Sequence, residues 1–424
     1  MLHLEIFSNM NEKDRITNTK PIAIDLFAGA GGMSEALKTA GFDVQGAIEY
    51  DKVFASTYEK NHGHHVWIDD IRKVSCAEFG EKYKIIPREL DLLAGCSPCQ
   101  GFSKQFSYKN NKKNEENALF TEIEADERRE KKEDERNLLV FEYLRFVRYF
   151  SPKYILFENV PGILSHPQIF NDFIAKLKRK QQNYPGYYIQ FNTINAADYG
   201  VPQRRKRFVL IGKRRDLHDG ERIENIYPRA THCNPKKTNE SEGRNPWVSL
   251  REVIGHLPQI QAGETHAADP LHFSKRISLD NKIRLEHTPH NGGGRKDWPE
   301  SLWLTCHKPD KENVGYGDVY GRMNYDLVSP TLTGGCLSVA KGRFAHPDQN
   351  RAISAREAAI IQTFPINYVF NGTKEQIAMQ IGNAVPVKMG LAFASNIIKE
   401  INLIKSEVKI TNKAIETREF QNVN

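Results

Sequence analysis

The chain has 424 residues, of which 39% are hydrophobic, and its formal net charge is +7; this length gives room for one large domain and a smaller one. No apolar run approaches the roughly 18 residues of a transmembrane helix, and the N-terminus lacks the charged-then-apolar pattern of a signal peptide. The cysteines form no disulfide framework, which indicates a cytoplasmic chain. Cys96 and Cys99 form one Cys-x-x-Cys, but a second ligand pair is missing, so no metal site is expected.

A buried strand over residues 21–27 is the first predicted element, after a polar lead-in over residues 1–20. A glycine-rich turn over residues 28–32 and the start of a helix over residues 33–39 follow it. Glycines let a ligand approach the backbone closely, and a helix N-terminus offers unpaired N–H groups. The Gly-x-Gly-Gly spacing differs from the Gly-x-Gly-x-x-Gly of dinucleotide-binding proteins, which weakens a nicotinamide interpretation.

Acidic residues follow the next two predicted strands. A strand over residues 44–48 ends at Glu49, about 20 residues after the glycine turn, where an acid commonly hydrogen-bonds a ribose. A third strand over residues 65–68 precedes Asp69 and Asp70. The alternative interpretation of these two aspartates is a helix cap.

A thiol follows the fourth predicted strand. The apolar stretch over residues 90–94 leads into Gly95 and Pro98, which places Cys99 on a tight turn at a strand end. Enzymes of the α/β class put reactive groups at such turns. From the thiol alone, three interpretations stay open: a nucleophile, a buried small hydrophobic residue or a metal ligand.

The rest of the first half completes an α/β pattern. A charged insert between residues 104 and 133 is interpreted as a solvated helix or a flap. Helices are predicted over residues 138–149 and 170–180, and strands over residues 154–157 and 208–211. This alternation from residue 21 to residue 212 predicts a mainly parallel sheet with right-handed crossovers.

Periodicity fades between residues 213 and 345, which we interpret as a smaller domain. Residues 203–246 hold twelve Lys/Arg against six Asp/Glu, which fits phosphate contacts or a solvated loop. Residues 292–298 predict a flexible basic loop. Residues 346–424 include predicted helices over residues 351–364 and 384–400, which are expected to rejoin the first domain.

Five motifs occur in a fixed order along the chain. They are Asp25-Leu-Phe-Ala-Gly-Ala-Gly-Gly, Pro98-Cys99-Gln100, Phe157-Glu158-Asn159-Val160-Pro161-Gly162, Gln203-Arg204-Arg205-Lys206-Arg207 and Gln380-Ile381-Gly382-Asn383-Ala384-Val385-Pro386. In order and spacing they resemble the DNA (cytosine-5) methyltransferases of bacterial restriction-modification systems, from residue 21 to about residue 398. The resemblance implies an α/β, Rossmann-like fold of the S-adenosylmethionine-dependent methyltransferases, with a mainly parallel sheet and a second, smaller target-recognition domain.

The resemblance assigns four catalytic residues. Cys99 would add to carbon 6 of cytosine, which makes carbon 5 reactive toward a methyl group. Glu158 would meet the charge that develops at ring nitrogen 3. Arg207 would hold the base oxygen, and Arg205 would lie nearer the thiol and Glu158. Because these groups cannot reach a stacked base, the cytosine would be flipped out of the duplex.

The methyl donor implied by the resemblance is S-adenosylmethionine, and the matching motif positions give its binding residues. These are Phe27, Gly29, Gly31, Glu49, Tyr50, Asp70, Ile71, Pro98, Asn383 and Ala384. Residues of the loop after the thiol and of the smaller domain are the candidates for DNA contact. These are Gln100, Ser103, Arg295, Lys296, Thr331 and Thr333.

Double-stranded DNA is the predicted partner, bound by a monomer, and a cognate restriction endonuclease acting on the same site would be a second partner. One alternative is an RNA cytosine-5 methyltransferase on the same fold. Another is a silent DNA-binding relative, although such a protein is expected to have lost Cys99 or Glu158. No motif specifies the target bases, because major-groove readout depends on the geometry of a few side chains.

Overall fold

The structure, a computed structural model, describes residues 20–98, 138–217, 226–236, 243–304 and 317–403. Cys99, Gln100 and Ser103 lie outside the described residues, as does the charged insert over residues 104–133. Residues 1–19 of the lead-in and residues 404–424 lie outside them as well.

Seven strands form one sheet in the order β3-β2-β1-β4-β5-β7-β6. The strands are β1 (Ile22–Leu26), β2 (Asp43–Glu49), β3 (Val66–Ile68), β4 (Leu92–Gly95), β5 (Tyr154–Asn159), β6 (Tyr187–Asn195) and β7 (Lys206–Arg214). Neighbouring strands pair in parallel, except that β7 is antiparallel to both β5 and β6. The predicted mainly parallel sheet is therefore confirmed.

Helices cover both faces of this sheet. The helices of the first half are α1 (Gly32–Ala40), α2 (Lys52–His62), α3 (Cys76–Tyr83), α4 (Leu139–Phe150) and α5 (Pro167–Lys178). On one face, α3, α4 and α5 contribute Phe79, Phe146 and Phe173 to a buried cluster. On the other face, Leu37 of α1 packs with Phe393 of a helix over residues 387–403. Because both faces are covered, the central strands are almost continuously apolar.

The smaller region, from residue 226 to residue 345, contains little regular structure. Its strands and helices are β8 (His232–Cys233), β9 (Asn245–Pro246), α6 (Leu250–Ile254) and α7 (Leu279–Glu286). Leu285, Trp298 and Tyr320 lie in a separate hydrophobic cluster that gives this region its own centre.

The C-terminal part divides its packing between the two regions. Helices α8 (Ala355–Ile361) and α9 (Lys374–Asn383) share a buried cluster with Leu250 and Phe273 of the smaller region. The helix over residues 387–403 packs on the sheet, as expected for a segment that rejoins the first domain. Helix α8 is shorter than the predicted helix over residues 351–364, because Ser354 caps its N-terminus and starts it at Ala355.

One helical stretch within the described residues, Lys374–Leu403, is long and apolar enough to cross a membrane. However, 67% of its apolar window is buried inside the protein. A break at residues 384–386 also divides it into two shorter helices. We therefore interpret both pieces as core helices.

Strand β6 has no counterpart among the predicted strands. It lies at the edge of the sheet, and the residues along its middle are half-buried or exposed. Such a strand lacks the apolar alternation from which strands are predicted. By contrast, the predicted helices over residues 138–149 and 170–180 are confirmed, at Leu139–Phe150 and Pro167–Lys178.

Candidate active site

Motif residues from four parallel strands meet at the carboxyl edge of the sheet. Phe27 follows β1, Glu49 ends β2, Ser97 follows β4, and Glu158 lies near the end of β5. Open α/β sheets bind ligands in the crevice outside this edge. Strand β7 runs in the opposite direction, so Arg207 near its start also lies there.

The turn between β1 and α1 has a left-handed backbone at Phe27, Gly29 and Gly31, with φ of 60°, 57° and 91°. Such angles are strained for a residue with a side chain, which explains the two glycines. A Cβ at Gly29 would meet nothing within 4 Å, whereas a Cβ at Gly31 would lie 2.5 Å from His62 Nε2. The turn therefore borders open space at Gly29 and packs against protein at Gly31.

Glu49 braces the turn from the end of β2. Its Oε2 accepts a hydrogen bond from the N–H of Gly29, and its Oε1 accepts one from the N–H of Asp51, each at 2.8 Å. Burial raises the pKa of the Glu49 carboxyl, while these backbone donors act to lower it. A carboxylate oxygen has more than one lone pair, so Glu49 can still accept a ribose hydroxyl.

Asp25 is fully buried beneath the turn. Ser34 Oγ donates to Asp25 Oδ2 at 2.7 Å and lies 3.1 Å from Tyr58 Oη. Burial raises the pKa of Asp25 from 3.8 to about 7. The hydrogen bond from Ser34 to Asp25 joins the first turn of α1 to β1 and so stabilises the glycine turn between them.

Asn159 holds the loop that leads to Cys99. Asn159 Nδ2 donates to Ser97 Oγ at 2.9 Å and to Ser97 O at 3.3 Å. Its Oδ1 accepts from the N–H of Val160 at 2.8 Å. Ser97 is buried and Pro98 is exposed. The end of β5 therefore fixes the position from which the chain continues to the proposed nucleophile.

The thiol of Cys96 lies within the interaction range of Glu158. Burial raises the pKa of Cys96 well above its ordinary value, and the negative charge of Glu158 adds to the effect. A thiol whose pKa is raised stays protonated and is a poor nucleophile. This property argues against Cys96 as the reactive cysteine.

Glu158 and Arg207 form an ion pair across β5 and β7. Arg207 Nε lies 2.9 Å from Glu158 Oε1, and the two side chains are 9% exposed for Glu158 and 12% for Arg207. The neighbouring Lys206 side chain is exposed, as predicted. The pair is sheltered but still accessible from the carboxyl edge.

Arg205 departs from its expected position beside Glu158. Its guanidinium is buried and donates to Leu332 O at 2.8 Å and to Ala384 O at 3.1 Å. The ion pair of Glu158 joins it to Arg207 instead. Arg205 immediately precedes the first residue of β7, where the backbone pairs with Ser329, and its side chain reaches the carbonyl of Leu332 three residues further on. The expectation that Arg205 is the arginine nearer Glu158 is therefore corrected.

A buried glutamine pair completes this junction. Gln203 Nε2 donates to Gln362 Oε1 at 2.9 Å, and Gln203 Oε1 accepts from the N–H of Leu332 at 2.9 Å. Gln362 Nε2 donates in turn to Ile381 O at 2.6 Å. Four segments that are distant in the chain, around residues 203, 332, 362 and 381, are thus held together. Motif position alone assigns no role to Gln203 and does not identify Gln362, because only the fold brings these two residues together.

Residues 384 and 385 lie beside the N-terminus of α1. A Cβ at Gly32 would lie 2.7 Å from Val385 O and 3.4 Å from Ala384 Cβ. The Asn383 side chain is exposed. The C-terminal segment therefore borders the glycine turn, where the resemblance expects Asn383 and Ala384 to close a cofactor pocket.

Asp70 acts as a cap in the structure, which was the alternative considered for it. Its Oδ1 accepts from the N–H of Arg72 at 3.0 Å, and its Oδ2 lies 2.6 Å from Arg72 Nη2. The Arg72 side chain lowers the pKa of Asp70. Ile71 is buried in the core, while Tyr50, the residue after the end of β2, is 73% exposed.

The expected DNA contacts of the smaller region differ in their exposure. Lys296 is exposed, but Arg295 is only 3% exposed. The loop over residues 292–298 is pinned, because Arg343 Nη1 donates to Gly292 O and Gly293 O at 2.9 and 3.1 Å. The expectation of a flexible loop in which both Arg295 and Lys296 are available to DNA is therefore wrong. The turn is fixed, and of these two side chains only Lys296 is exposed.

Thr331 and Thr333 take part in contacts within the protein. Thr331 Oγ1 donates to Arg204 O at 2.6 Å. Thr333 O packs so closely on α9 that a Cβ at Gly382 would lie 2.1 Å from it. Both threonines are half-buried, and they join the smaller region to the rest of the chain.

The sheet order with one reversed strand, the glycine turn after β1 and the acid that ends β2 define a class of protein. The chain has the Rossmann-like fold of the S-adenosylmethionine-dependent methyltransferases. This class assignment leaves open which substrate is methylated.

Comparison with known proteins names the family. The C-5 cytosine-specific DNA methylase family matches residues 22–399, and the chain belongs to it. It is 33% identical over 380 residues to the Type II methylase M.HgiDII of Herpetosiphon aurantiacus, over 88% of this chain and 94% of that relative. It is 31% identical over 430 residues to the Type II methyltransferase M.DdeI of Desulfomicrobium norvegicum, over 94% of both chains. The chain is therefore a DNA (cytosine-5) methyltransferase.

Solved structures show the same fold. A prophage-encoded DNA modification methyltransferase of E. coli superposes with a TM-score of 0.63 at 22% identity, over 90% of this chain and 99% of that one. The Dnmt2 methyltransferase of S. pombe gives a TM-score of 0.57 at 16% identity, over 90% and 100%. At these identities the structures support the architecture alone.

Proposed function

We propose that this enzyme methylates carbon 5 of a flipped-out cytosine in one short duplex DNA sequence, through a covalent Cys99 adduct, as the protecting methylase of a restriction-modification system. The observation that carries the proposal is the Arg207–Glu158 ion pair, 2.9 Å between Nε and Oε1. It lies at the same sheet edge as the loop that leads to Cys99, which Asn159 anchors beside Glu158.

The residues around the glycine turn fit S-adenosylmethionine. Open space borders Gly29, the Glu49 carboxylate faces the turn, and the Tyr50 ring is available for a flat base. The same site would use Phe27, Gly31, Asp70, Ile71, Pro98, Asn383 and Ala384. When bound, S-adenosylmethionine supplies an electrophilic methyl group.

The chain's own residues would activate the cytosine. The Cys99 thiolate forms a bond to carbon 6, and the electron pair of the ring double bond makes carbon 5 nucleophilic. Glu158 with a proton on its carboxyl group donates a hydrogen bond to ring nitrogen 3 as negative charge develops there, and Arg207 holds both Glu158 and the base oxygen. After methylation, loss of the proton on carbon 5 restores the double bond and expels the Cys99 thiolate. Water is our candidate for the base in that step.

Recognition would come from the smaller region and from Gln100 and Ser103. The base must leave the stack at a cost of roughly a few kcal/mol, and protein contacts must replace its partners. We propose that the enzyme acts as a monomer in the cytoplasm. The Type II names of its relatives support a cognate endonuclease that cuts the same unmethylated site.

A methylome tests the proposal. The full chain is expressed in a host without cytosine methylation, beside the Cys99→Ser and Glu158→Gln variants, and genomic DNA is sequenced after bisulfite conversion. We expect one protected motif with the wild-type chain and none with Cys99→Ser. Protected cytosines scattered without a motif would contradict sequence-specific recognition, and protection that survives in Cys99→Ser would contradict the covalent route.

Purified enzyme completes the test. Calorimetry measures S-adenosylmethionine binding, and labelled methyl transfer is compared on duplex DNA and on RNA of the same sequence. Cofactor binding with transfer to DNA is the expected result. Transfer to RNA in preference to DNA would move the assignment to an RNA cytosine methyltransferase.

A further inference from the structure

We propose that Tyr368 and His62 form a clamp that holds the glycine turn in the shape that S-adenosylmethionine requires, which makes both of them positioning residues for cofactor binding. The inference rests on the proposed function, because it takes the glycine turn to be the cofactor site. Neither residue belongs to the five motifs, and they lie 306 positions apart in the chain.

The clamp is a chain of hydrogen bonds with a fixed direction. Tyr368 Oη donates to the carbonyl of Ala30, inside the glycine turn. His62 Nε2 lies 2.9 Å from the same Tyr368 oxygen. Because the hydroxyl has one proton, which goes to Ala30, His62 must be the donor of the second bond. The imidazole is therefore assigned as the tautomer that carries its proton on Nε2.

The same two side chains also limit the space at Gly31. A Cβ there would lie 2.5 Å from His62 Nε2 and 2.8 Å from Tyr368 Oη. Gly31 has a φ of 91°, in the region that favours glycine. Two glycines give the turn many alternative shapes in the unfolded chain. A hydrogen bond to Ala30 and close packing on Gly31 select one of them, and this pre-organisation favours ligand binding.

Burial keeps His62 neutral, so the ring carries a single proton, and the hydrogen bond to Tyr368 places that proton on Nε2. The imidazole is shielded from solvent, and its pKa is lowered to about 3, by burial first and then by the charge of Lys38. Glu35 Oε2 lies 3.9 Å from Nδ1, and Lys38 Nζ donates to His62 O at 3.1 Å. The Tyr58 ring packs against the imidazole with centroids 4.8 Å apart. The donor arrangement therefore stays the same across the physiological pH range.

Additional bonds fix the segment that carries Tyr368. Asn61 Nδ2 donates to Val369 O at 2.8 Å, and the N–H of Val369 donates to Asn61 Oδ1 at 3.0 Å. The N–H of Asn371 donates to Thr57 Oγ1 at 2.9 Å. Helix α2 thus binds the segment 368–371 along its side and holds the tyrosine hydroxyl at the glycine turn.

The test removes the hydroxyl alone. We expect Tyr368→Phe in the full-length enzyme to raise the Kd for S-adenosylmethionine about fivefold to tenfold, as lost hydrogen bonding predicts. The KM for the cofactor rises by a similar factor, while kcat at saturating cofactor stays near that of the wild type. Calorimetry measures Kd, and steady-state methyl transfer separates KM from kcat. The matched control is Tyr184→Phe, which removes the buried hydrogen bond from Tyr184 Oη to Leu177 O, 3.0 Å long, on the far face of the sheet.

A second pair of variants covers the outcome that Tyr368→Phe fails to fold. His62→Gln keeps an N–H donor where His62→Leu has none, so we expect His62→Gln to bind cofactor more tightly than His62→Leu. Wild-type cofactor affinity in Tyr368→Phe, or equal weakening in Tyr184→Phe, would overturn the clamp while leaving the proposed function intact. A wild-type enzyme that binds no S-adenosylmethionine would overturn the proposed function and the clamp together.

Discussion

The guanidinium of Arg207 and the carboxylate of Glu158 lie 2.9 Å apart, on neighbouring antiparallel strands at the carboxyl edge of the sheet. A pair in this position orients the carboxylate without removing it from the crevice. A fixed orientation of this kind increases the reaction rate, because even a small displacement of a reacting group lowers the rate strongly.

Loss of Arg207 should therefore affect chemistry more than folding. We expect Arg207→Ala to lower the rate of methyl transfer about 10²–10³-fold, the range for removing a charge-stabilising donor. Cofactor affinity and the melting temperature should change little. Single-turnover methyl transfer on duplex DNA is the measurement, and the exposed neighbour Lys206→Ala is its control. An equal loss of methyl-transfer rate in Arg207→Ala and Lys206→Ala would mean that the rate depends on the positive charge of this segment and not on the Arg207–Glu158 pair.

Arg205 should give the opposite result. Its buried guanidinium satisfies the carbonyls of Leu332 and Ala384, so Arg205→Ala leaves polar groups unpaired inside the protein. We expect a loss of about 2–4 kcal/mol in the free energy of unfolding. Urea denaturation measures it, with the exposed Arg204→Ala as the control. A stable but inactive Arg205→Ala would return Arg205 to the catalytic group.

The buried carboxyl of Asp25 should make stability depend on pH. Its pKa is raised from 3.8 to about 7, so the folded state holds a proton that the unfolded state loses between these values. The stability of the wild type relative to Asp25→Asn should therefore fall as pH rises from about 4 to about 7 and stay level above that. The total difference is about 4 kcal/mol at one pKa unit per about 1.4 kcal/mol. Urea denaturation of both proteins at pH 5 and at pH 8 measures the part of this change that falls above pH 5, about 3 kcal/mol. Parallel stability at the two pH values would show that Asp25 titrates normally.

Lys296 and Arg295 should separate DNA binding from folding. Lys296 is exposed and Arg295 is buried, although they are adjacent. We expect Lys296→Ala to weaken DNA binding and to reduce the slope of log K against log salt by about one. Arg295→Ala should lower stability without changing that slope beyond the loss of folded protein. Fluorescence anisotropy at several salt concentrations provides the binding data, and thermal melting provides the stability. An unchanged salt slope in Lys296→Ala would remove this turn from the DNA interface.

Local patterns in the sequence predict the sheet and most of its helices, because buried strands and amphipathic helices leave periodic signals. Strand β6 shows where this stops, since an edge strand with exposed positions has no such signal. The smaller region also differs from the rest of the sequence by a loss of periodicity between residues 213 and 345. The packing of the smaller region around Trp298 cannot be predicted from the sequence, because it depends on contacts between turns.

Motif positions identify the residues of the site but do not fix their orientation. Arg205 and Arg207 are two positions apart, and only their contacts in the fold show that Arg205 bonds Leu332 and Ala384 while Arg207 pairs with Glu158. Arg295 looks like a surface cation in the sequence, yet the structure buries it. The contact between His62 and Tyr368 joins residues that no local pattern relates.

The reversed direction of β7 also bears on how this enzyme can change over evolution. Lys213, near the end of β7, pairs with Tyr154 at the start of β5, so the chain enters the smaller region from the edge opposite the active site. It returns at residues 329–332, which are bonded to the chain just before β7. The first attachment point is the end of β7, and the second lies against the residues that immediately precede β7. If the segment between them reads DNA as we propose, it can be lengthened, shortened or exchanged while Glu158 and Arg207 keep their places, so that a new target sequence arises without a change in the catalytic residues.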